Sequence, residues 1–170
     1  MKEMEVFGNI GILSGLFHKD IEDLFALCER RVYGKGDIIM EEDEDEYSMF
    51  FFIDGEVVVS STMTIKASGK GGGKSEMEKS LVKLSAGQVG VIGEMSILED
   101  LPRSATVKAF TECVFYEISR EKFQSFLSAN PNAGSLLLLN ISRILCHRVR
   151  RGNKDIIKLS TALSIALSKS

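Results

Sequence analysis

The chain has only two histidines, His18 and His147, and they stand far apart. An enzyme that splits phosphate esters needs clustered metal ligands or a positioned nucleophile, and two lone imidazoles supply neither. Cysteine is also scarce: Cys28, Cys113 and Cys146 are odd in number and widely spaced, with no CxxC pair. They read as reduced, buried thiols of a cytosolic protein rather than as a metal site. No apolar run approaches the ~20 residues of a bilayer-spanning helix. The N-terminus shows no charged-then-apolar export signal. The expected compartment is therefore the cytoplasm. Charge is not one-sided either, because a net −3 over 170 residues argues against a chain whose main business is coating nucleic acid.

What is present suits one domain with a core and a helical extension. Apolar residues make up 44% and charged residues 26%, as in ordinary globular proteins. Residues 14–30 place Ile21, Leu24, Phe25 and Cys28 at helical spacing, predicting an amphipathic helix that needs a sheet beneath it. That sheet starts near Arg31. Tyr33 to Asp37 is turn chemistry, and Ile38-Ile39-Met40 is a short buried strand. Glu41 to Glu46 is an unbroken acidic run. It lacks the glycine and downstream glutamate of a calcium loop, so it predicts a solvated hairpin turn. Met49 to Ile53 reads as a buried strand, Asp54-Gly55 as a hairpin turn, and Glu56 to Thr64 as the return strand.

Ile65 to Lys79 is rich in glycine, lysine and serine and predicts a mobile hairpin loop. Gly73-Lys74-Ser75 within it tempts a phosphate-loop reading, but Ser68 stands where the first glycine belongs and no buried strand leads straight in. Leu81 to Leu84, Ser104 to Phe110 and Val114 to Ser119 supply further strands, and Ala86-Gly87-Gln88 a turn. Many short strands with frequent turn signals argue a sandwich or barrel. Ser119 is a good N-cap for a helix carrying Phe123, Phe126 and Leu127, which Asn130-Pro131-Asn132 ends. From about Gly134 the chain can stay helical almost to its end. Leu145, Val149, Gly152, Ile156, Leu159, Leu163 and Ala166 alternate four and three apart there, which is a coiled-coil seam. A parallel homodimer buries that seam; folding back onto the barrel is the alternative. Arg143, His147, Arg151, Lys154 and Lys158 form another stripe of the same helix, expected as a solvated face, and Gly152-Asn153 lowers helix propensity.

The stretch richest in chemistry runs from Gly93 to Thr106. A helical turn starting at Gly93 points unpaired N–H groups at one spot, which suits an anion. Arg103, set in place by Pro102, can add a two-pronged contact to it. Glu94 cannot favour a phosphate, so its partner is a donor such as a sugar hydroxyl. Phosphate beside sugar hydroxyl reads as a nucleotide. The order Gly-Glu, apolar turn, then Pro-Arg-x-Ala at this spacing resembles the phosphate-binding cassette of the cyclic nucleotide-binding domain family, seen in kinase A regulatory subunits and bacterial catabolite activators.

The resemblance implies a mainly β fold with flanking α. This is a double-stranded β-helix, or jelly-roll barrel, with an N-terminal helix and C-terminal helices that serve as lid and dimer contact. It divides a single domain, 1–170, into a helical segment 1–30, a barrel 31–119 holding the cassette 93–106, and helices 120–170. It implies a ligand site of Gly93, Glu94, Met95, Ser96, Pro102, Arg103, Ser104 and Ala105. Glu94 takes the ribose 2′-hydroxyl, while Arg103 and the N–H groups near Gly93, Met95 and Ala105 hold the cyclic phosphate. Asn153 is by the same resemblance a candidate base contact. Two departures stand out: the acidic turn lacks the family's frequent glycine, and Gly87 to Gly93 is two residues longer than usual, predicting a bulge before the cassette.

The expected function is a non-catalytic sensor with no cofactor and no metal site, binding cAMP, or cGMP as the alternative, because Ser104 stands where family members vary with ligand. The alternative class is the sensor half of a catabolite-activator-type regulator, with no DNA-binding domain in this chain: nineteen residues after Arg151 are too few for a helix-turn-helix. No membrane segment is expected, and the sequence does not name the downstream partner.

Overall fold

The computed structural model describes residues 10–65 and 75–168, with side chains described outside 62–81. A short 3-10 turn, Gly11–Leu13, precedes helix α1, His18–Ala26, and eight strands follow: β1 Glu29–Tyr33, β2 Ile38–Met40, β3 Ser48–Asp54, β4 Glu56–Ile65, β5 Ser75–Ser85, β6 Val91–Ile92, β7 Thr106–Ala109 and β8 Cys113–Ser119. Helix α2, Glu94–Leu98, interrupts them between β6 and β7, and α3, Arg120–Ala129, and α4, Pro131–Ser168, close the chain. The strands form two four-stranded sheets in the orders β1-β8-β3-β6 and β2-β7-β4-β5, with antiparallel pairing in both. This is the expected jelly-roll arrangement with flanking helices.

Strand β3 shows why a continuous apolar run was needed. Its side chains alternate between faces, and both faces are covered. Met49 and Phe51 pack under the helices with Leu24, Ile118, Phe123, Phe126, Leu137 and Ile141. Phe50 and Phe52 point between the sheets, with Val57, Val107 and Phe115, and Phe52 stacks on Phe115 at 4.5 Å. Full burial of each such ring stabilises by roughly 1.5–3 kcal/mol. Gly134 lets α4 approach α3 closely, because a Cβ there would lie 3.1 Å from the Leu127 Cα.

Several expectations need correction. The first helix is shorter than 14–30: it closes at Leu27 and Cys28, whose amides reach Leu24 and Phe25, because Glu29 is drawn into pairing with Glu117 of β8. Strand β5 begins at Ser75, pairing with Ile65, so the expected loop loses its last residues to a long hairpin. Gly73 and Lys74 lie outside the described residues, as does the expected mobility of that loop. No bulge interrupts the pairing just before the cassette: Phe50 and Phe51 face Ile92 and Val91 in simple register. The last helix starts at Pro131 and runs through Gly152-Asn153 to Ser168. Their propensity cost of about 1 kcal/mol is small against a helix of that length. Ile38 is exposed, unlike its strand neighbours Ile39 and Met40.

The cysteines divide. Cys113 is buried, Cys28 half-buried, and Cys146 exposed, which corrects the expectation of three buried thiols. Burial pushes the Cys28 thiol up to about 12, with Lys122 acting weakly the other way. The folded state keeps this proton to higher pH than the unfolded chain does. Its contribution to stability is therefore whole below pH 9.0 and is lost as pH rises toward about 12. Alkylation of the native protein at mildly alkaline pH is expected to label Cys146 rapidly and spare Cys28 and Cys113; rapid labelling of either of these would contradict the burial described.

Candidate functional site

Strand β6 delivers the chain to the site and Gly93 turns it. Gly93 sits at φ +75° as the N-cap of α2, in the left-handed region open to glycine at little cost. Glu94 is then the first helical residue, and its side chain is 1% exposed. Helix α2 ends after one turn with the Glu99 amide on the Met95 carbonyl, and the chain passes through Pro102 and Arg103 into β7. Two backbone bonds fasten this return to the acidic turn: the Asp43 amide donates to the Arg103 carbonyl and the Arg103 amide to the Glu44 carbonyl, each at 3.0 Å. Asp43 takes φ +66°, so an aspartate, a residue type that tolerates that region, does what a glycine would. The acidic run is thus a turn, as expected, but one that holds the cassette.

Arg103 is 3% exposed. Its Nη1 donates to the Ser48 carbonyl at 2.6 Å and the Ser96 hydroxyl at 2.7 Å, and its Nη2 to the Ser48 hydroxyl at 2.9 Å. Ser48 in turn donates to Glu117 at 2.9 Å. Burial pulls the Arg103 pKa below the ordinary arginine value, while Glu46, Glu117 and Glu44 push the other way. A guanidinium so far from neutral pH stays charged throughout. The Nε of Arg103 is buried without a hydrogen-bond partner. Of the five guanidinium N–H groups, three are taken by Ser48 and Ser96, which leaves Nε–H and one Nη2–H uncommitted.

Glu94 is divided in the same way. Its Oε1 accepts from Arg148 Nη1 of α4, and Arg148 Nη2 also donates to the Val91 carbonyl at 3.1 Å. Its Oε2 is buried with no partner. The carboxylate oxygen and the guanidinium nitrogen left over both belong to residues lining one cavity of about 1190 Å³. All eight site residues expected from sequence, Gly93, Glu94, Met95, Ser96, Pro102, Arg103, Ser104 and Ala105, line it. The inner sheet faces close its floor with Met40, Phe52, Val59, Leu84 and Val107.

The sequence reading missed one wall. Asn140, Arg143, Ile144, His147, Arg148 and Arg151 of α4 face the cavity, so part of the stripe expected to be merely solvated borders the site. Their spacing of three and four was the available signal. Asn153, the candidate base contact, is not among the lining residues. Asn140 also pins α4 to the N-terminal turn, donating to the Ile12 and Ser14 carbonyls at 3.0 and 2.8 Å. Chemically, the cavity sets the carboxylate of Glu94 and the buried guanidinium of Arg103 above a mostly apolar floor, with Arg143, Arg148 and Arg151 along the α4 wall, a set suited to a ligand with an anionic group beside a hydroxyl.

The family model for the cyclic nucleotide-binding domain matches residues 30–130. The chain belongs to this family. The cAMP-dependent protein kinase regulatory subunit of Debaryomyces hansenii is 30% identical over 119 residues, covering 70% of this chain and 23% of that protein. The cAMP-activated global transcriptional regulator CRP of Haemophilus influenzae is 28% identical over 134 residues, covering 78% and 53%. Glutaminase 1 of Bradyrhizobium diazoefficiens is 26% identical over 145 residues, which are 85% of this chain and 21% of that protein. The chain therefore spans about half or less of these relatives. A cyclic nucleotide-binding domain from Methylobacillus flagellatus shares the fold, with a TM-score of 0.73 at 22% identity over 92% of this chain and 81% of that one.

In this cyclic nucleotide-binding domain Gly93 has a second role beyond its backbone angle. A Cβ there would lie 2.6 Å from Arg103 Nη1 and 2.9 Å from the Ser48 carbonyl, so the glycine makes room for the inward seat of Arg103. Gly93→Ala is expected to cost about 1–3 kcal/mol of stability from the positive φ alone, and further from the displaced guanidinium. Thermal unfolding checks this: an unchanged midpoint contradicts the seat described.

Proposed function

We propose that the chain is a sensor module that holds a cyclic mononucleotide in this cavity, cAMP before cGMP, without chemical turnover, and relays occupancy through α3 and α4 from a cytoplasmic setting. Three described side-chain atoms are buried without a partner, Glu94 Oε2, Arg103 Nε and Arg120 Nε, and the observation that carries the reading is that the first two belong to residues lining the same cavity. A buried polar atom left unpaired costs about 1–3 kcal/mol. A ligand that presents a hydroxyl to one and a phosphate oxygen to the other recovers that cost. The preference for cAMP rests on the resemblance to the catabolite activator at Ser104 and is supported by the cAMP-dependent and cAMP-activated relatives. Calorimetric titration with cAMP and cGMP tests the proposal, and no heat from either at millimolar concentration overturns it.

The relay has its support in α4, which contributes both Arg148 to Glu94 and a run of exposed apolar residues. Val149, Ile156, Leu159 and Leu163 lie largely in solvent among the described residues. A second copy packed in parallel along this seam would cover them, a reading the four-three spacing supports. The folded protein is then expected to sediment at twice the chain mass, and Ile156→Lys to shift it to the monomer; a wild type that sediments as a monomer at high concentration removes the dimer from the reading. A second reading, the sensor part of a transcription regulator, is supported by the likeness to the Haemophilus influenzae regulator over half its length. DNA binding by this chain in a mobility shift at stated salt would favour it.

A further inference from the structure

Helix α2 is short, and its last carbonyls lack partners within the helix. Arg120, the first residue of α3, supplies them. Its Nη2 donates to the Ser96 and Glu99 carbonyls and its Nη1 to the Asp100 carboxylate. The guanidinium lies over the Tyr47 ring, 4.0 Å from the centroid, and the Arg120 amide donates to the Tyr47 carbonyl at 2.9 Å. The side chain is 15% exposed. This commits one cation to a segment of the chain twenty residues earlier, where the Asp100 carboxylate and the neighbouring Glu121 offset its charge.

Ser96 is the common member of two grips. Its hydroxyl accepts from Arg103 Nη1 at 2.7 Å, and its carbonyl accepts from Arg120. We propose that Arg120 is a positioning residue that makes α3 follow the cassette, so that a ligand drawing on Arg103 moves α3 through Ser96. The inference rests on the proposed ligand reading and adds to it the residue by which occupancy leaves the site. Ligand contact at the free edge of Arg103 displaces a guanidinium whose other edge is bonded to Ser96. The peptide of Ser96 is in turn bonded to the first residue of the helix outside the barrel.

Spin labels on Gln124 of α3 and Lys108 of β7, both exposed, in a background with Cys146 replaced by serine, read the distance between helix and barrel. The wild type is expected to change this distance when cAMP is added. Arg120→Gln is expected to keep cAMP affinity within about tenfold of wild type while losing at least half of the distance change. Arg120→Lys keeps the charge but lacks the planar fork that reaches two carbonyls and a carboxylate together; it is expected to show the same loss and covers the case in which the glutamine variant does not fold. A full distance change in either folded variant overturns the proposal. If wild type binds cAMP and the distance stays fixed, the inference fails and the ligand reading stands. If wild type binds no cyclic nucleotide, both fall.

Discussion

Arg103→Ala is expected to lower cyclic nucleotide affinity by at least ~10-fold, a lower bound on the roughly 2–5 kcal/mol, about 30-fold to several thousand-fold, lost when one partner of a buried charge pair is removed. The reason lies in how the guanidinium is divided. Nη1 and one proton of Nη2 hold Ser48 and Ser96, and Nε has no partner, so the seat and the receiving edge belong to the same side chain. Alanine removes both. Each buried oxygen of Ser48 and Ser96 left without its donor costs about 1–3 kcal/mol, so the thermal midpoint falls as well. Arg103→Lys separates the effects, because it keeps a charge and loses the fork. It is expected to retain part of the stability and little of the affinity. Calorimetry on the folded alanine variant at a temperature well below its midpoint is the deciding measurement, and wild-type affinity there contradicts the role given to Arg103.

How much of this was legible in the sequence follows from the range of each signal. The cassette was, because its residues line one cavity from within fourteen consecutive positions, and Gly93, Pro102 and Arg103 each constrain the local chain. Strand β3 was, since five consecutive buried residues leave few alternatives to a strand covered on both faces. The seat of Arg103 was not: Ser48 and Glu117 reach it through tertiary structure, and a serine at the start of a strand carries no mark of a buried polar role. Strand β6, two residues long, is too short for any periodicity. The α4 wall was half legible. Its basic stripe was visible, yet charges spaced along a helix usually face water, and only the packing of α4 against the N-terminal turn through Asn140 sets which part of the stripe meets the cavity.

Arg148 is the residue of that wall with the largest expected effect. Glu94 is almost wholly buried, whereas Arg148 is 42% exposed, so the pair is asymmetric: the carboxylate depends on the arginine far more than the reverse. Removing the partner of a buried charge costs more than the pair's own net contribution, because desolvation of the survivor is no longer offset. With one member half in water, Arg148→Ala is expected to destabilise by about 2–3 kcal/mol. At this chain length that lowers the thermal midpoint by roughly 4–12 °C. Glu94→Gln in the same chain removes the stranded charge, so the double variant is expected to be less destabilised than the sum of the two single ones. A cycle that comes out additive shows no coupling and refutes the pairing. The sharing of the carboxylate also fixes the sense of the ligand effect. Because Arg148 takes Oε1 and the buried Oε2 has no partner, a sugar hydroxyl that reaches Oε2 adds to Glu94 without taking the place of Arg148. Hydrogen exchange along α4 near Arg148 is therefore expected to slow when cyclic nucleotide is added to the wild type, and to lose that response in Arg148→Ala; faster exchange in the wild type on adding ligand means that ligand and helix compete for Glu94 instead.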